Sequence, residues 1–517
     1  MSRLSKNIIY NLFGQSLLIV LGFVAVKYIF KQLGEDALGI IYFTVTLNAI
    51  LCGVLDKGVF TTTVREVSAR VKKDPEYIKD FIRTGSFFCW IVYLFFSLIV
   101  YLGAPILVNK WINLKTLDSI TAVYILRVLG IASLVAFPLS FYASLLRGLE
   151  RMEFNNIIDV AASALQQFGI VIILITGGDI FHVAYWIAIC YGFRVTTYLA
   201  VCIRFFSARS FLPRYRHSVV RRNFNFASKM ISISILAMVH RQADKVIISK
   251  VLPVGILGYY GFVYGAISKA GLITSAIAQA AFPSLCALSE NKSSTNVLSQ
   301  YKILQDLVCF ITVPVFAAIV FIALPLLKYV FNSEIAQTLH LAVVFLSLGF
   351  FLNGTLAIPY RVLLATGKPE IAVRQNLYAI FTVLPATFVA IYYWEISGAA
   401  LGWVLYFLFC YVYSVPRICN ECLDRSPLFF YGHVLKVFLL IGLSYGTVYS
   451  LLFVFDIFKI LSLSLSYIGA SVIYLIGAYF LIGDELRKTI LRQFRTLKNN
   501  WKYYRVIGVT VRNHNYD

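Results

Sequence analysis

Apolar residues run through the chain in blocks of about twenty, each broken by a short polar stretch, and a helix needs a block of that length to cross a hydrocarbon core. Marking the blocks predicts spans at 8–30, 38–59, 84–108, 119–146, 157–177 and 181–205 in the first half. The second half gives 225–250, 257–284, 303–330, 337–366, 370–391 and 396–415, and two more follow at 432–455 and 459–483. The predicted fold class is therefore an all-α polytopic membrane protein of about fourteen transmembrane helices. An even number of spans places both termini on one side of the membrane.

One block breaks the apolar pattern with charge. Residues 225–285 read as a hydrophobic hairpin interrupted at helical spacing by Arg241, Asp244, Lys245 and, later, Lys269. A charge near the bilayer centre costs on the order of 3 kcal/mol on insertion scales, so such residues face a polar cavity or a partner and are functional candidates by default. Arg241, Asp244 and Lys245 stand at i, i+3 and i+4 on one helix face, so Asp244 can neutralise one cation and leave the other available.

Composition agrees with the spans: 60% of the 517 residues are hydrophobic and 14% charged, outside the balance of a soluble domain. The formal charge of +22 would suggest nucleic acid in a soluble protein. Here the basic residues lie in short loops and in the tail, which reads as membrane orientation and contact with anionic headgroups. With the N-terminus inside, the cytoplasmic segments with their adjoining helix ends carry 31 Lys and Arg and the outer loops with theirs 6. That asymmetry predicts a multi-pass protein of the cytoplasmic membrane with both termini cytoplasmic.

The chain also repeats itself. Lys31 to Phe43 reads KQLGEDALGIIYF and Lys250 to Phe262 reads KVLPVGILGYYGF, so that Leu38 matches Leu257, Gly39 matches Gly258 and Phe43 matches Phe262 at an offset of 219. The offset recurs at Leu145 and Gly148 against Leu364 and Gly367. With six spans between equivalent positions, the halves insert with the same topology, as two lobes in parallel repeat. The predicted divisions are 1–205 (first lobe), 206–224 (basic cytoplasmic linker), 225–415 (second lobe), 432–483 (two extra helices) and 484–517 (basic cytoplasmic tail).

Enzyme chemistry finds no foothold. The chain has no Walker A loop, no GxGxxG after a strand, no HExxH and no GxSxG, so no cofactor, metal or catalytic residue is expected. The nine cysteines form no secreted framework, and the CxxC of Cys419 and Cys422 lacks partners for redox or metal work. Prolines at 105, 138, 283, 314, 325, 359 and 385 each free a backbone carbonyl and tend to kink their helices.

The remaining candidates are buried cations. Lys27 on the first span, Arg127 on the fourth and Arg194 on the sixth join Arg241, Lys245 and Lys269, and a convergence of several would suit a phosphate or diphosphate. Some have a plainer reading as well, whereas Arg241 and Lys269 are too central for easy snorkelling. Lys27 and Lys57 can snorkel to the interface, and Arg127 and Arg194 can pair with carbonyls or with acids such as Asp159.

The stretches NIIYNLFGQ, LGEDALGIIYF, GVFTTTVREVS, RGLERMEFNN and RQADKVIISKVLPVGILGYYGF, with AAFPSL, resemble the Wzx-type polysaccharide flippases. These belong to the multidrug/oligosaccharidyl-lipid/polysaccharide exporter (MOP) superfamily. The resemblance implies two six-helix lobes in a V of the kind found in the MATE and MOP transporters, alternating between inward-open and outward-open states. It implies further a cationic cavity for the headgroup of a polyprenol-linked oligosaccharide. Asp244, Gly258, Tyr259 and Tyr260 match family positions, whereas Lys27 and Lys269 correspond by region only.

The expected function is a flippase moving a polyprenol-(di)phosphate-linked oligosaccharide, such as an O-antigen unit, to the outer leaflet for surface polysaccharide assembly. The implied partners are this lipid-linked glycan and membrane lipids, with H+ or Na+ as candidate coupling ions and polysaccharide-assembly proteins as candidate neighbours; nucleic acid is not among them. The strongest rival is a cation-coupled multidrug exporter of the same fold, which would favour acids in its cavity where this chain has cations. A glycan polymerase would need a large outer loop that the topology does not provide.

Overall fold

A computed structural model of the chain describes residues 3–290, 294–455, 457 and 459–487, all built from helices and short turns. In order these are α1 (Arg3–Arg70), α2 (Pro75–Ile106), α3 (Ser119–Ser133), α4 (Ala136–Gly148), α5 (Met152–Ile175), α6 (Ile180–Phe205) and α7 (His217–Val251). There follow α8 (Val254–Glu290), α9 (Ser294–Val330), α10 (Ser333–Ala365), α11 (Glu370–Cys422), α12 (Leu428–Ile441), α13 (Thr447–Val454) and α14 (Ile460–Leu481). The basic tail from 488 onward and the side chain of Lys57 lie outside the described residues.

All fourteen predicted spans fall in helix, but they are joined differently. Eleven helices among the described residues are long and apolar enough to cross a membrane. Two of them each hold a pair of predicted spans. α1 turns at Gly34, whose φ of 85° is open to glycine, and α11 turns at Trp394 and Glu395. The hydropathy pattern marks both breaks, at 31–37 and 392–395, but not that each join is a turn of one or two residues. α7 is absent from the eleven because Arg241, Asp244, Lys245 and Lys250 crowd its last turns.

Proline positions decide several tertiary contacts. Proline at i leaves the carbonyl of i−4 without its helical donor, and in hydrocarbon that group needs another. Three such carbonyls are taken by side chains from other helices. Arg127 Nε donates to the Tyr101 carbonyl freed by Pro105, at 2.9 Å. The Tyr474 hydroxyl donates to the Phe310 carbonyl freed by Pro314, at 3.1 Å. Gln305 Nε2 donates to the Thr355 carbonyl freed by Pro359, at 2.8 Å. The kinks are therefore fastened, not loose.

The chain forms two compact units. The first comprises Met1–Lys269, Leu326–Leu346 and Val373–Tyr406, and one of its apolar clusters surrounds Phe141, Tyr142 and Tyr198. Small residues let helices close in: a Cβ on Gly85 would lie 2.4 Å from the Phe141 ring, and one on Gly148 would lie 2.7 Å from Val67. The second unit comprises Ala270–Pro325, Ser347–Ala372 and the described residues from Phe407 onward, with a core of Leu285, Tyr301, Val308, Ile358 and Val362. Large apolar side chains such as Leu98 and Leu102 on α2 or Leu461 and Phe480 on α14 are mostly exposed, as lipid-facing surfaces require.

Candidate functional site: cations of the first unit

The charged face of α7 resolves into a neutralised pair and a free cation. Asp244 and Lys245 are both buried, and Lys245 Nζ lies 3.2 Å from Asp244 Oδ1. Asp244 Oδ2 accepts from the Tyr260 hydroxyl of α8 at 2.5 Å and from Trp403 Nε1 of α11 at 2.8 Å. The Lys245 ammonium also sits 3.6 Å from the centre of the Tyr264 ring and donates to the Arg241 carbonyl at 3.1 Å. A buried ion pair offsets its desolvation only when its remaining polar atoms are satisfied, and this aromatic box of Tyr260, Tyr264 and Trp403 satisfies them.

With Asp244 committed to Lys245, Arg241 is left available. Its side chain is exposed and has no hydrogen-bond or ion-pair partner among the described residues. Lys269, four turns into α8, is partly exposed and likewise without such a partner among the described residues. Lys27 rests its ammonium 3.3 Å from the centre of the Tyr329 ring, an aromatic seat that leaves its hydrogens to other acceptors.

The other two predicted cations are engaged. Arg127 holds the Tyr101 carbonyl and lies over the Tyr101 ring. Arg194 grips Asp159 Oδ1 through Nη2 at 2.6 Å and Nε at 3.2 Å, and the buried Tyr198 hydroxyl donates to the same oxygen at 2.8 Å. The Arg194 cluster lines a cavity of about 360 Å³ with Phe60, Leu139, Ser140, Ala143 and Arg147.

A second polar assembly joins the two repeats at the ends that the positive-inside count puts outside. The buried Asp36 carboxylate, just past the Gly34 turn, accepts from the backbone N–H groups of Lys115, Thr116 and Leu117 at 2.7, 2.6 and 3.0 Å. The same loop reaches the α7–α8 turn, where Val254 N–H donates to the Asn113 carbonyl at 2.9 Å and Asn113 Nδ2 to the Lys250 carbonyl at 3.1 Å. Trp111 Nε1 donates to Ser249 Oγ, and Tyr259 donates to Glu35 at 2.8 Å. Beneath this clasp the repeat-related glycines meet. A Cβ on Gly39 would lie 2.3 Å from the Val254 carbonyl oxygen, and one on Gly258 would lie 2.9 Å from the Gly39 nitrogen.

Among the described residues no cluster of His, Cys, Asp or Glu could hold a metal. Among the described residues the nine cysteines form no disulfide; Cys419 is buried in an apolar cluster, and Cys422 accepts from Thr366 Oγ1.

A family model described as "Polysaccharide biosynthesis protein" matches residues 4–289, more than half of the chain and all but the last residue of the α7–α8 hairpin. The chain belongs to that family. A putative O-antigen transporter of Shigella flexneri is 21% identical over 402 residues, covering 77% of this chain and 93% of the relative. Among solved structures, the lipid II flippase MurJ in an inward closed conformation gives a TM-score of 0.72 at 13% identity, over 91% of this chain and 98% of that one. An inward-facing multidrug resistance MATE family transporter of the MOP superfamily gives 0.65 at 14% identity, over 78% and 95%. At these identities the two structures show the fold alone: a MATE- and MurJ-like membrane transporter fold. The chain thus combines membership of the polysaccharide biosynthesis family with a MATE- and MurJ-like membrane-protein fold.

Sequence reasoning missed three parts of this arrangement. Trp403 completes the Asp244 box from 159 residues away, and no local pattern announces that. Asp36 stands two residues after Gly34 in LGEDALG, a signal for a turn capped by a carboxylate that could have been read. Arg147 lies in the last turn of α4, where a basic residue is ordinary, yet it lines the cavity.

Proposed function

We propose that the protein is a flippase of the cytoplasmic membrane, both termini inside, carrying a polyprenol-(di)phosphate-linked oligosaccharide to the outer leaflet for surface polysaccharide assembly. The observation that carries the proposal is that a chain of the polysaccharide biosynthesis family keeps two cations, Arg241 and Lys269, on membrane-spanning helices without an acid to neutralise them. A charge held in that state is favourable only where an anion or water meets it, and a diphosphate supplies the anion. Arg241 offers paired hydrogen bonds and Lys269 a point charge. Lys27, seated on Tyr329, adds a third cation from the first repeat.

Alternating access then requires the clasp at Asp36 and Asn113 to open so that the headgroup can leave outward. The clasp suits such a switch, because the bonds that cross between the repeats are isolated hydrogen bonds whose partners water can take up. The rival reading as a cation-coupled drug exporter needs a free carboxylate. Asp244 does not provide one, since its oxygens are held by Lys245, Tyr260 and Trp403. Coupling to H+ or Na+ would need an acid other than Asp244.

The test uses cells that make a lipid-linked surface glycan but lack their own transporter for it. Introducing this protein should restore surface polysaccharide and leave susceptibility to cationic drugs unchanged. Drug resistance gained without surface glycan would replace the flippase by the exporter.

A further inference from the structure

The cavity of about 360 Å³ between α1, α4, α5 and α6 lies within the first unit, and its reading is independent of the α7–α8 cations. Its size is in the range of ligand pockets, and its lining is a mixture of apolar walls with a few convergent polar groups. Two of those groups are arginines of unequal status. Arg194 is bound to Asp159, while Arg147 is exposed, lies 4.6 Å from the centre of the Phe60 ring, and has no hydrogen-bond or ion-pair partner among the described residues. The cavity thus carries two guanidinium groups against one carboxylate. The Tyr198 hydroxyl is already turned to that carboxylate, so the unbalanced charge is cationic.

The repeat indicates that this charge is not needed to build the fold. The positions 219 residues further on are Thr366 for Arg147, Tyr378 for Asp159 and Tyr413 for Arg194, so the second half makes the same helices without any of the three charges. Arg147 is the penultimate residue of α4 and Asp159 lies two turns into α5, which sets the cavity near the ends that the charge asymmetry assigns to the cytoplasmic leaflet.

We propose that this cavity is a binding site for a lipid-borne phosphate, with Arg147 as the primary ligand and Arg194, oriented by Asp159 and Tyr198, as the second. A phosphate between the two guanidinium groups can accept from both, while Asp159 limits the net charge so that the site releases its ligand. The phosphate can come from a membrane phospholipid or from a polyprenyl-linked substrate; the chemistry is shared and the sources separate by experiment.

The experiment is native mass spectrometry of the full-length protein released from phosphatidylcholine nanodiscs, titrated in separate arms with phosphatidylglycerol and with a C20 prenyl diphosphate. Apart from any ligand held by Arg241 and Lys269, the wild-type protein should retain one ligand that Arg147→Gln binds about tenfold more weakly, the loss expected for one charge-assisted contact. Arg147→Lys should fall between the two, and Arg241→Gln with Lys269→Gln should leave this binding event unchanged. A tenfold loss confined to phosphatidylglycerol makes the site a phospholipid site; one confined to the prenyl diphosphate makes it a substrate site. Wild-type affinity of Arg147→Gln for both probes, with the variant as heat-stable as the wild type, would overturn the proposal.

Discussion

The two repeats share their skeleton and not their charges. Leu38 and Leu257 are both fully buried, Phe43 and Phe262 are equally buried, and Gly39 packs against the segment that holds Gly258. The positions 219 residues before Arg241, Asp244, Lys245 and Lys269, by contrast, are Gly22, Ala25, Val26 and Ile50. The positions 219 residues after Lys27 and Arg127 are Val246 and Leu346. Residues that set helix approach must recur wherever the fold recurs, whereas charges placed in one half answer to something other than the fold. Some of them still became structural: Lys245 through Asp244, Arg194 through Asp159, and Arg127 through the carbonyl freed by Pro105.

That division ranks the effects of substitution. The largest loss should follow Asp244→Ala, which leaves Lys245 buried without its carboxylate and strands the donors of Tyr260 and Trp403. Breaking a buried pair costs about 3–5 kcal/mol. Asp244→Asn combined with Lys245→Met removes both charges while keeping an acceptor for Trp403, and should recover most of the loss in thermal unfolding of the detergent-solubilised protein. No recovery in the double variant would mean that the pair itself, and not its neutralisation, holds the box.

A smaller loss is expected from Gly39→Val, whose side chain would meet the Val254 backbone. Overpacking of this kind costs about 1–3 kcal/mol. Gly103→Val on α2, where nothing lies within 4 Å, is the control and should unfold like the wild type. Equal effects at the two glycines would remove the argument that Gly39 recurs because backbones meet there.

The smallest structural effect is expected from Arg127→Ala, which exposes the Tyr101 carbonyl at a helix kink near lipid. An unpaired polar group of this kind costs about 1–3 kcal/mol, less any share that water recovers near the helix end. Thermal unfolding again measures it, and an unchanged midpoint would return Arg127 to the set of available cations.

Most of the helical architecture was legible, because apolar blocks of span length and their charge asymmetry are direct consequences of the bilayer. The joins were not, since Gly34 and the Trp394–Glu395 turn reverse or bend the chain within two residues. At the site, helical spacing put Asp244 within reach of both Arg241 and Lys245 but could not choose between them. The choice depends on Tyr260, Tyr264 and Trp403, which come from two other helices. Long-range partners of the prolines were hidden for the same reason: a freed carbonyl is predictable from sequence, but the side chain that takes it is not.

The central claim is that Arg241 and Lys269 serve the headgroup and not the fold. It is tested most directly by measuring surface glycan and membrane protein level together, in cells lacking the native transporter and carrying the Arg241→Ala, Lys269→Ala double variant. Removing charges that cost about 3 kcal/mol each in hydrocarbon should leave the protein level unchanged or higher while export falls at least tenfold. Full export by the double variant at wild-type level would contradict the assignment.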